Sequence, residues 1–206
     1  MSNNHFWDKR YIEEGEIWNR GQSLTANFLS QLVPKDSNIF EIGFGYGRDV
    51  IHLAQQGYRV SAIEQSVVGY NMAVTQLREI GIVHSPHLIR DDFLNVALPS
   101  NAFDAVCSHR VIHLLDNDSV SKYCNKVANI VRDNGLIFIA ARDPRGNKPL
   151  RKNHTVSLWD EQRFYNSFSE HFTIDKIIQG EELESASNPV PTYFTLMIAQ
   201  RKPRMG

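Results

Sequence analysis

The sequence contains little cysteine, and neither sign of charge is in excess. Its 206 residues include two cysteines, Cys107 and Cys124. Two are too few for the disulfide framework of a small secreted protein, and their separation is not that of a paired metal-binding motif. The formal net charge of −1 at pH 7 gives no general electrostatic reason to bind nucleic acid or an anionic membrane. We therefore expect reduced thiols, no metal and no nucleic-acid partner.

Long apolar runs are also missing. No window approaches the length of a membrane-spanning helix, and the first residues, MSNNHFWDKRY, lack the apolar core of a secretory signal. Repeats, low-complexity tracts and linkers rich in Pro, Gly or Ser are absent as well. Apolar residues make up 42% of the chain, which is ordinary for a globular protein. We expect one domain over residues 1–206, cytoplasmic, without a membrane partner, as a monomer or homodimer.

Hydrophobic periodicity predicts alternating helices and strands. Two amphipathic helices, in HFWDKRYIEE and SLTANFLSQLV, come first, and the second places Leu24, Phe28 and Leu32 on one face. Strand patterns follow in NIFEI, YRVSAIE, HLIRD, AFDAVCS, GLIFIAA, FTIDKII and YFTLMIAQ. Helical patterns lie between them in GRDVIHLAQQ, VVGYNMAVTQLREI, DSVSKYCNKVANIVR and LWDEQRFYNSFSE.

Capping residues set the expected limits of three of these helices. Ser66 is a predicted N-cap, the pair Asn134-Gly135 is expected to close DSVSKYCNKVANIVR, and Ser157 with Asp160 matches a capping box. The alternation of strands and helices predicts an α/β fold: a doubly wound, Rossmann-like sheet of seven strands, mostly parallel. No helix separates the last two strands, so the last strand is expected to be antiparallel.

Three glycines, Gly43, Gly45 and Gly47, lie between the first strand and the next helix. Glycine at such a turn lets the backbone approach a ligand closely. The spacing G-x-G-x-G differs from the G-x-G-x-x-G of dinucleotide sites. Glu41, just before the loop, would repel a pyrophosphate but suits a cationic amino-acid or sulfonium group. Glu64 ends the next strand, where it could accept both hydroxyls of a ribose, unless it is simply a surface residue after a glycine turn.

The segment FEIGFGYGRDVIHLAQQGYRVSAIEQS resembles the cofactor-binding region of class I S-adenosylmethionine-dependent methyltransferases. Further along, RDDFLN lies where that family has an acid contacting adenine. FDAVCSHRVIHLL resembles the family's fourth-strand segment, and VRDNGLIFIA resembles the entry to its fifth strand. The terminal antiparallel pair belongs to that fold and not to a dinucleotide-binding domain. The resemblance spans nearly the whole chain and implies S-adenosylmethionine as cofactor, with S-adenosylhomocysteine as product.

The resemblance implies cofactor contacts for residues of the loops that follow the strands. These are Trp18, Glu41, Gly43, Gly45, Gly47, Glu64, Gln65, Asp92, Phe93 and His109. Glu41 would order the glycine loop or take the ligand's ammonium, and Glu64 would hold the ribose. Asp92 would contact the adenine amino group, with Phe93 donating its backbone NH or packing on the ring. Asp91 is an alternative to Asp92, and a solvated turn is an alternative to both.

The segment FWDKRYIEEGEIWNRGQSLTANFLSQL resembles the N-terminal lid of small methyltransferases related to the thiopurine and tellurite-resistance enzymes. The residues that carry this resemblance are Trp7, Arg10, Tyr11, Trp18 and Ser23. It implies a helical lid over residues 1–35, a cofactor-binding core over 36–206, and a small-molecule acceptor. Trp18 would either cover the cofactor or anchor the lid to the core.

Candidates for catalysis follow the fourth strand, at the sheet edge where open α/β folds bind ligands. His109 and Arg110 are expected there, with His109 as a possible base, and Tyr11 of the lid is a third candidate. His113, beside two leucines, is expected in the core. No residue is an unmistakable base, so the sequence leaves the catalytic residue unknown.

A basic loop, ARDPRGNKPLRKNH, follows the fifth strand and contains five basic residues and one acid. Arg142, Arg145 and Arg151 are candidates for an electropositive rim that attracts an anionic substrate, such as a carboxylate, phosphate or oxyanion. A solvated loop without a binding role is the alternative.

The favoured function is methyl transfer from S-adenosylmethionine to a small-molecule acceptor by direct displacement. A methyltransferase acting on protein or RNA is one alternative, kept open by the basic loop. A catalytically silent S-adenosylmethionine-binding module that regulates a partner is another. A nicotinamide-dependent oxidoreductase is disfavoured by the glycine spacing and by the two terminal strands.

Overall fold

The structure is a computed structural model that describes residues 3–17, 21–82, 86–145, 156–184 and 190–204. Its helices are α1 (Asn3–Glu14), α2 (Leu24–Leu32), α3 (Arg48–Gln55), α4 (Val67–Glu79), α5 (Asn117–Ile130) and α6 (Glu161–Phe168), with a 3₁₀ turn at Ile112–Leu114. Its strands are β1 (Asn38–Ile42), β2 (Arg59–Glu64), β3 (His87–Arg90), β4 (Phe103–His109), β5 (Val131–Arg142), β6 (Phe172–Glu184) and β7 (Val190–Arg201).

The seven strands form one sheet in the order β3-β2-β1-β4-β5-β7-β6. Strands β1 to β5 are mutually parallel, whereas β7 lies between β5 and β6 and is antiparallel to both. The predicted fold class, including the antiparallel last strand, is therefore confirmed. The chain order reverses between the neighbours β1 and β4, and such a switch point opens a crevice at the carboxyl ends of the strands.

Apolar side chains cover both faces of the sheet, as a parallel sheet requires. One layer packs α5 and α6 against the sheet, and the other packs α2, α3 and α4 against the opposite face. The predicted inward side of α5 is confirmed, because Val120, Tyr123, Val127 and Ile130 are all buried. The two layers hold the carboxyl ends of β1, β2 and β4 at one edge of the sheet.

The buried face of α2 differs from the one that the sequence predicted. Leu32 is 52% exposed, while Thr25, Ala26 and Leu29 are buried. Leu24 and Phe28 pack only partly against the core. The helix turns this way because a polar contact, Thr25 Oγ1 to Nδ1 of His109 at 2.7 Å, fixes its first turn.

Two predicted helix limits are also corrected. Helix α5 ends at Ile130, and β5 begins at once, so Asn134-Gly135 lies within that strand, where the register with β4 shifts. Asn134 has a φ of 61°, a left-handed conformation that suits such an irregularity. Helix α6 is capped by Asp160, which accepts from the backbone NH of Arg163 at 2.9 Å, and not by Ser157.

The described ranges contain neither a membrane-spanning helix nor a candidate metal site. None of their helices is long and apolar enough to cross a bilayer. Those ranges also contain no group of three His, Cys, Asp or Glu side chains arranged to hold a metal ion. Cys107 and Cys124 are buried and unpaired.

Candidate functional site

A cavity of about 400 Å³ lies at the switch point between β1 and β4. Its walls come from the carboxyl ends of β1, β2 and β4, the turn after β3, and the first turn of α3. Trp7 and Tyr11 of α1 border it on one side, and Ser119 and Tyr123 of α5 border it from the layer of α5 and α6. The predicted ligand edge of the sheet therefore contains a cavity.

The glycine loop lines this cavity with backbone. Gly47 has a φ of 91°, and a Cβ added there would lie 2.7 Å from Cβ of Ala73. A Cβ on Gly43 would collide with the Val111 side chain. A side chain is therefore excluded at both places by the surrounding protein. Gly43 and Gly45 border the cavity, whereas Gly47 does not. The rings of Phe44 and Tyr46 are buried beside Tyr70 and Tyr11, respectively.

Glu41, at the end of β1, borders the cavity with only 4% of its surface exposed. Within the described residues its Oε2 has no hydrogen-bond partner. Burial and the nearby carboxylate of Asp49 raise the pKa of Glu41 well above its usual value, against the opposing charge of Arg48. A buried, unpaired carboxyl group costs stability unless a cation or donor satisfies it. Its position therefore fits a cationic ligand.

Glu64, at the end of β2, links the glycine loop to the start of α4. Its Oε2 accepts from the backbone NH of Gly45 and its Oε1 from the backbone NH of Ser66, both at 2.8 Å. Burial raises the pKa of Glu64, and these backbone hydrogen bonds oppose the rise. Each carboxylate oxygen retains a second acceptor position. Gln65 follows at the cavity wall.

The turn after β3 brings both competing acids, Asp91 and Asp92, to the cavity. Asp92 accepts from the backbone NH of Leu94 at 2.9 Å and from Nδ2 of Asn95 at 2.7 Å. Asp91 accepts from the backbone NH of Asp92 through Oδ1 at 2.7 Å. The Asp92 carboxylate is therefore occupied on both oxygens by its own turn, and the choice between the two acids remains a prediction.

Phe93 also borders the cavity, but most of its ring lies in the core. The ring packs edge-on against Tyr123 at 5.3 Å and is tilted against Phe40 at 6.2 Å. Lys126 lies over it at 5.2 Å. Its predicted contact with adenine stays a prediction.

His109 lies at the carboxyl end of β4 between two polar partners. Thr25 Oγ1 is 2.7 Å from Nδ1, and Glu182 Oε2 is 3.0 Å from Nε2. Burial lowers the pKa of His109, despite the opposing charge of Glu182. A neutral ring that donates from Nε2 to the carboxylate must accept from the Thr25 hydroxyl at Nδ1. Both ring nitrogens are therefore occupied.

Glu182 is surrounded by positive charge. Arg48 Nη2 lies 3.7 Å from one of its oxygens and Arg110 Nη2 lies 3.6 Å from the other. Burial alone would raise the pKa of Glu182, but His109, Arg48 and Arg110 together hold it well below its usual range. Arg110 has a φ of 68°, unusual for a residue with a side chain. Such backbone strain is often found at functional sites.

Carboxylates tie the two N-terminal helices, α1 and α2, to the rest of the domain. Asp49 accepts from the backbone NH of Ser23 at 2.7 Å and from its hydroxyl at 2.5 Å, which fixes the start of α2. Asp8 of α1 accepts from the Ser66 hydroxyl at 2.5 Å and from the backbone NH of Val68 at 3.1 Å. The second contact pair places α1 over the first turn of α4, next to the cavity.

Several predicted residues lie elsewhere or outside the described ranges. Trp18 and Arg151 lie outside those ranges. Arg142 is buried at the end of β5, and neither it nor Arg145 borders the cavity. Arg145 instead donates to both carboxylate oxygens of Asp143, at 2.8 and 3.1 Å. The electropositive rim stays a prediction, but its two described members do not face the cavity.

Sequence reasoning missed Asp8, Thr25, Arg48, Asp49 and Glu182. Arg48 and Asp49 directly follow the last loop glycine, and that position was a usable signal. The other three carry none, because each acts on a residue far away in the chain. His113 was expected in the core, and it is buried.

Residues 39–135 match the family model described as a methyltransferase domain. These residues form a methyltransferase domain. The resemblance in the sequence is confirmed, and S-adenosylmethionine is the cofactor of this class. The sequence-based alternative of a nicotinamide-dependent oxidoreductase is thereby set aside.

Solved structures share the fold of this methyltransferase over nearly its whole length. One, solved in work on the conversion of a disulfide bond into a thioacetal group during echinomycin biosynthesis, is 18% identical, with 98% of this chain and 93% of the other covered and a TM-score of 0.82. A TehB-like S-adenosylmethionine-dependent methyltransferase from Corynebacterium glutamicum is 15% identical, with coverage of 96% and 95% and a TM-score of 0.65.

A third likeness is to the 1,6-didemethyltoxoflavin-N1-methyltransferase of Burkholderia thailandensis, solved with 1,6-didemethyltoxoflavin and S-adenosylhomocysteine. It is 14% identical, with 98% of this chain and 84% of the other covered and a TM-score of 0.71. At these identities the likenesses establish the fold. No curated protein sequence gives a significant match.

Proposed function

We propose that this methyltransferase transfers the methyl group of S-adenosylmethionine to a small-molecule acceptor by direct displacement. The observation that carries the proposal is Glu41, a buried carboxyl group that borders a cavity of about 400 Å³ and whose Oε2 has no hydrogen-bond partner within the described residues. A cavity of this size suits a small ligand. The toxoflavin-type relative, which carries a small heterocyclic ligand, supports the same acceptor class.

In this proposal, different parts of the cavity wall bind different parts of the cofactor. Glu41 balances the positive charge of the methionine end, which the glycine loop approaches through its backbone. Glu64 accepts from the ribose hydroxyls with the acceptor positions left after its bonds to Gly45 and Ser66. Asp91 or Asp92 receives the adenine amino group. Together these groups supply the charge and the hydrogen bonds that the methionine, ribose and adenine parts of the cofactor require.

The bound cofactor supplies an electrophilic methyl group on a sulfonium. The task of the protein is to hold the acceptor atom in line with that methyl group, and positioning of reactants at roughly 3–3.5 Å can supply several kcal/mol. His109 is not a base in this proposal, because Thr25 and Glu182 occupy its two ring nitrogens. The acceptor atom must therefore be nucleophilic without a base from this histidine.

The proposal is tested by incubating the protein with S-adenosylmethionine and a panel of thiols, amines, phenols and carboxylates while measuring S-adenosylhomocysteine. We expect turnover with at least one small acceptor, and much less with a Glu41→Gln variant. Turnover only with protein or RNA would favour a macromolecular substrate. Tight cofactor binding without turnover on any acceptor would favour a silent binding module.

A further inference from the structure

One wall of the cavity consists of charged groups from distant parts of the chain. Arg48, His109 and Arg110 border the cavity, and Glu182 of β6 lies behind them. The side chains of Arg48, Arg110 and Glu182 are only 10%, 9% and 16% exposed. Asp49 lies 3.6 Å from Arg48 and is the second acid in the group. We call these residues the charged wall.

We propose that Glu182 is a positioning residue of the methyl-transfer site. It neutralises the wall formed by Arg48 and Arg110, and it fixes His109 as the Nε2–H tautomer. The inference rests on the proposed function, since it concerns a site that receives S-adenosylmethionine.

The charge balance of the wall depends on Glu182. Two buried arginines face the cavity, and two acids, Glu182 and Asp49, balance them. Without Glu182 the wall would lose one negative charge in a poorly solvated place, where charges interact more strongly than in water. The cofactor carries a positive sulfonium that its product lacks. Glu182 therefore has a larger effect on binding of S-adenosylmethionine than on binding of S-adenosylhomocysteine.

Glu182 also determines which ring nitrogen of His109 carries the proton. The acceptor at Nε2 is the Glu182 carboxylate, and the hydroxyl at Nδ1 belongs to Thr25 of the lid helix α2. In the opposite tautomer a lone pair on Nε2 would face the carboxylate, which is repulsive. Glu182 thus sets which ring nitrogen carries the proton and, through Thr25, ties α2 to the wall.

The charge argument is tested with Glu182→Gln, whose amide oxygen can still accept from His109 while the negative charge is lost. Glu181→Gln is the matched control, because Glu181 precedes it on the same strand and is exposed. Calorimetry on each apoprotein gives the Kd of S-adenosylmethionine and of S-adenosylhomocysteine. We expect Glu182→Gln to raise the ratio of the two Kd values roughly three- to tenfold, which corresponds to one screened charge interaction. Glu181→Gln should leave the ratio unchanged.

An unchanged ratio in a folded Glu182→Gln protein would overturn the charge role. The tautomer role is tested on the wild-type protein by long-range ¹H–¹⁵N spectra of its histidines, with His109 assigned from a His109→Gln variant. We expect a proton on Nε2 alone, and a proton on Nδ1 would overturn the assignment. If the wild-type protein binds neither ligand, the proposed function itself fails.

Discussion

Two walls of the cavity differ in how far apart their residues lie in the sequence. The glycine loop and Glu41 lie within ten consecutive residues, 38–47, that form one strand and one turn. In the charged wall, His109 contacts Glu182 across 73 positions of the sequence, and Thr25, beside the wall, contacts His109 across 84. The first wall is visible as a spacing of residue types, whereas the second exists only after the chain has folded. Steric changes should therefore damage the first wall, and changes of hydrogen bonding or charge the second.

The largest effect is expected where the glycine loop excludes a side chain. Gly47→Ala places a methyl group 2.7 Å from Ala73 Cβ and forces a left-handed conformation on alanine. We expect a loss of about 2–4 kcal/mol in the free energy of unfolding, since overpacking and the positive φ both contribute. Gly57→Ala is the control, because Gly57 has a φ of 87° but no atom within 4 Å of the added Cβ. Equal losses by urea denaturation would show that close approach is not the reason for Gly47.

Glu41→Gln, in the same wall, is expected to stabilise the folded protein and to weaken cofactor binding. A neutral amide costs less to bury than a carboxylate, so we expect about 1–2 kcal/mol more stability at pH 7. Cofactor affinity should fall about tenfold, the size of one lost charge-assisted contact. Glu79→Gln, an exposed change at the end of α4, is the control. A Glu41→Gln protein that binds as tightly as wild type would remove the proposed role of Glu41.

The gain from Glu41→Gln should depend on pH in a definite direction. The folded-state pKa of Glu41 is raised by burial above its usual value of 4.5. As pH rises past 4.5, the unfolded chain releases this proton while the folded protein retains it, so wild-type stability falls. We expect the two proteins to be alike near pH 4 and to diverge toward pH 7. A constant difference across this range in urea titrations would contradict the assignment.

Ser23→Ala tests the attachment of α2 near the charged wall. The hydroxyl caps the helix by accepting from the backbone NH of Ala26 at 3.1 Å, and it donates to Asp49. Losing a cap typically costs about 1–2 kcal/mol, measurable by urea denaturation. Ser30→Ala is the control on the same helix, because the Ser30 hydroxyl bonds only within its own turn, to the Asn27 carbonyl. Similar losses for both serines would mean that the Asp49 contact is unimportant.

The smallest effect on stability is expected from Asp8→Ala in the lid. This change removes the acceptor for Ser66 and Val68 but opens no core cavity, so we expect about 1 kcal/mol or less. Amide exchange in α1 should nevertheless accelerate, because helix ends held by few contacts open locally. Glu13→Ala, which removes only the exposed pair with Lys9, should leave exchange unchanged. Unaltered exchange in Asp8→Ala would show that other contacts hold the lid.

Most of the fold could be predicted because its signals are local. Ser66 precedes an apolar helical pattern and does cap α4. Where two residues are equally suitable caps by sequence, tertiary contacts determine which of them caps the helix. Ser157 and Asp160 are both suitable caps, but the Ser157 hydroxyl accepts from Trp159 Nε1 at 3.0 Å and donates to the His113 carbonyl, so Asp160 caps the helix instead. Similarly, Val131 pairs with Phe103 of β4 and ends α5 early.

Some residues of the site also have local sequence signals, whereas others are brought together only by tertiary contacts. Glu41, Glu64, Gly43 and Gly45 border the cavity, whereas Gly47 does not, and their cofactor contacts stay predictions. Glu182 carries no such signal, because it stands in an acidic run, EELE, at the end of an edge strand. Its partners are brought to it by the order of strands in the sheet. Such contacts require the three-dimensional arrangement and cannot be derived from residue spacing.

The most direct test of the account is thermal unfolding of the purified protein with S-adenosylmethionine, S-adenosylhomocysteine, NAD or no ligand. A ligand at 100 times its Kd stabilises the folded state by about 2.7 kcal/mol. For a chain of this length that corresponds to a rise of roughly 5–10 °C in Tm. We expect such a rise with the two adenosyl ligands and none with NAD. A rise with NAD alone would contradict the assignment of the glycine loop and of every role that depends on it.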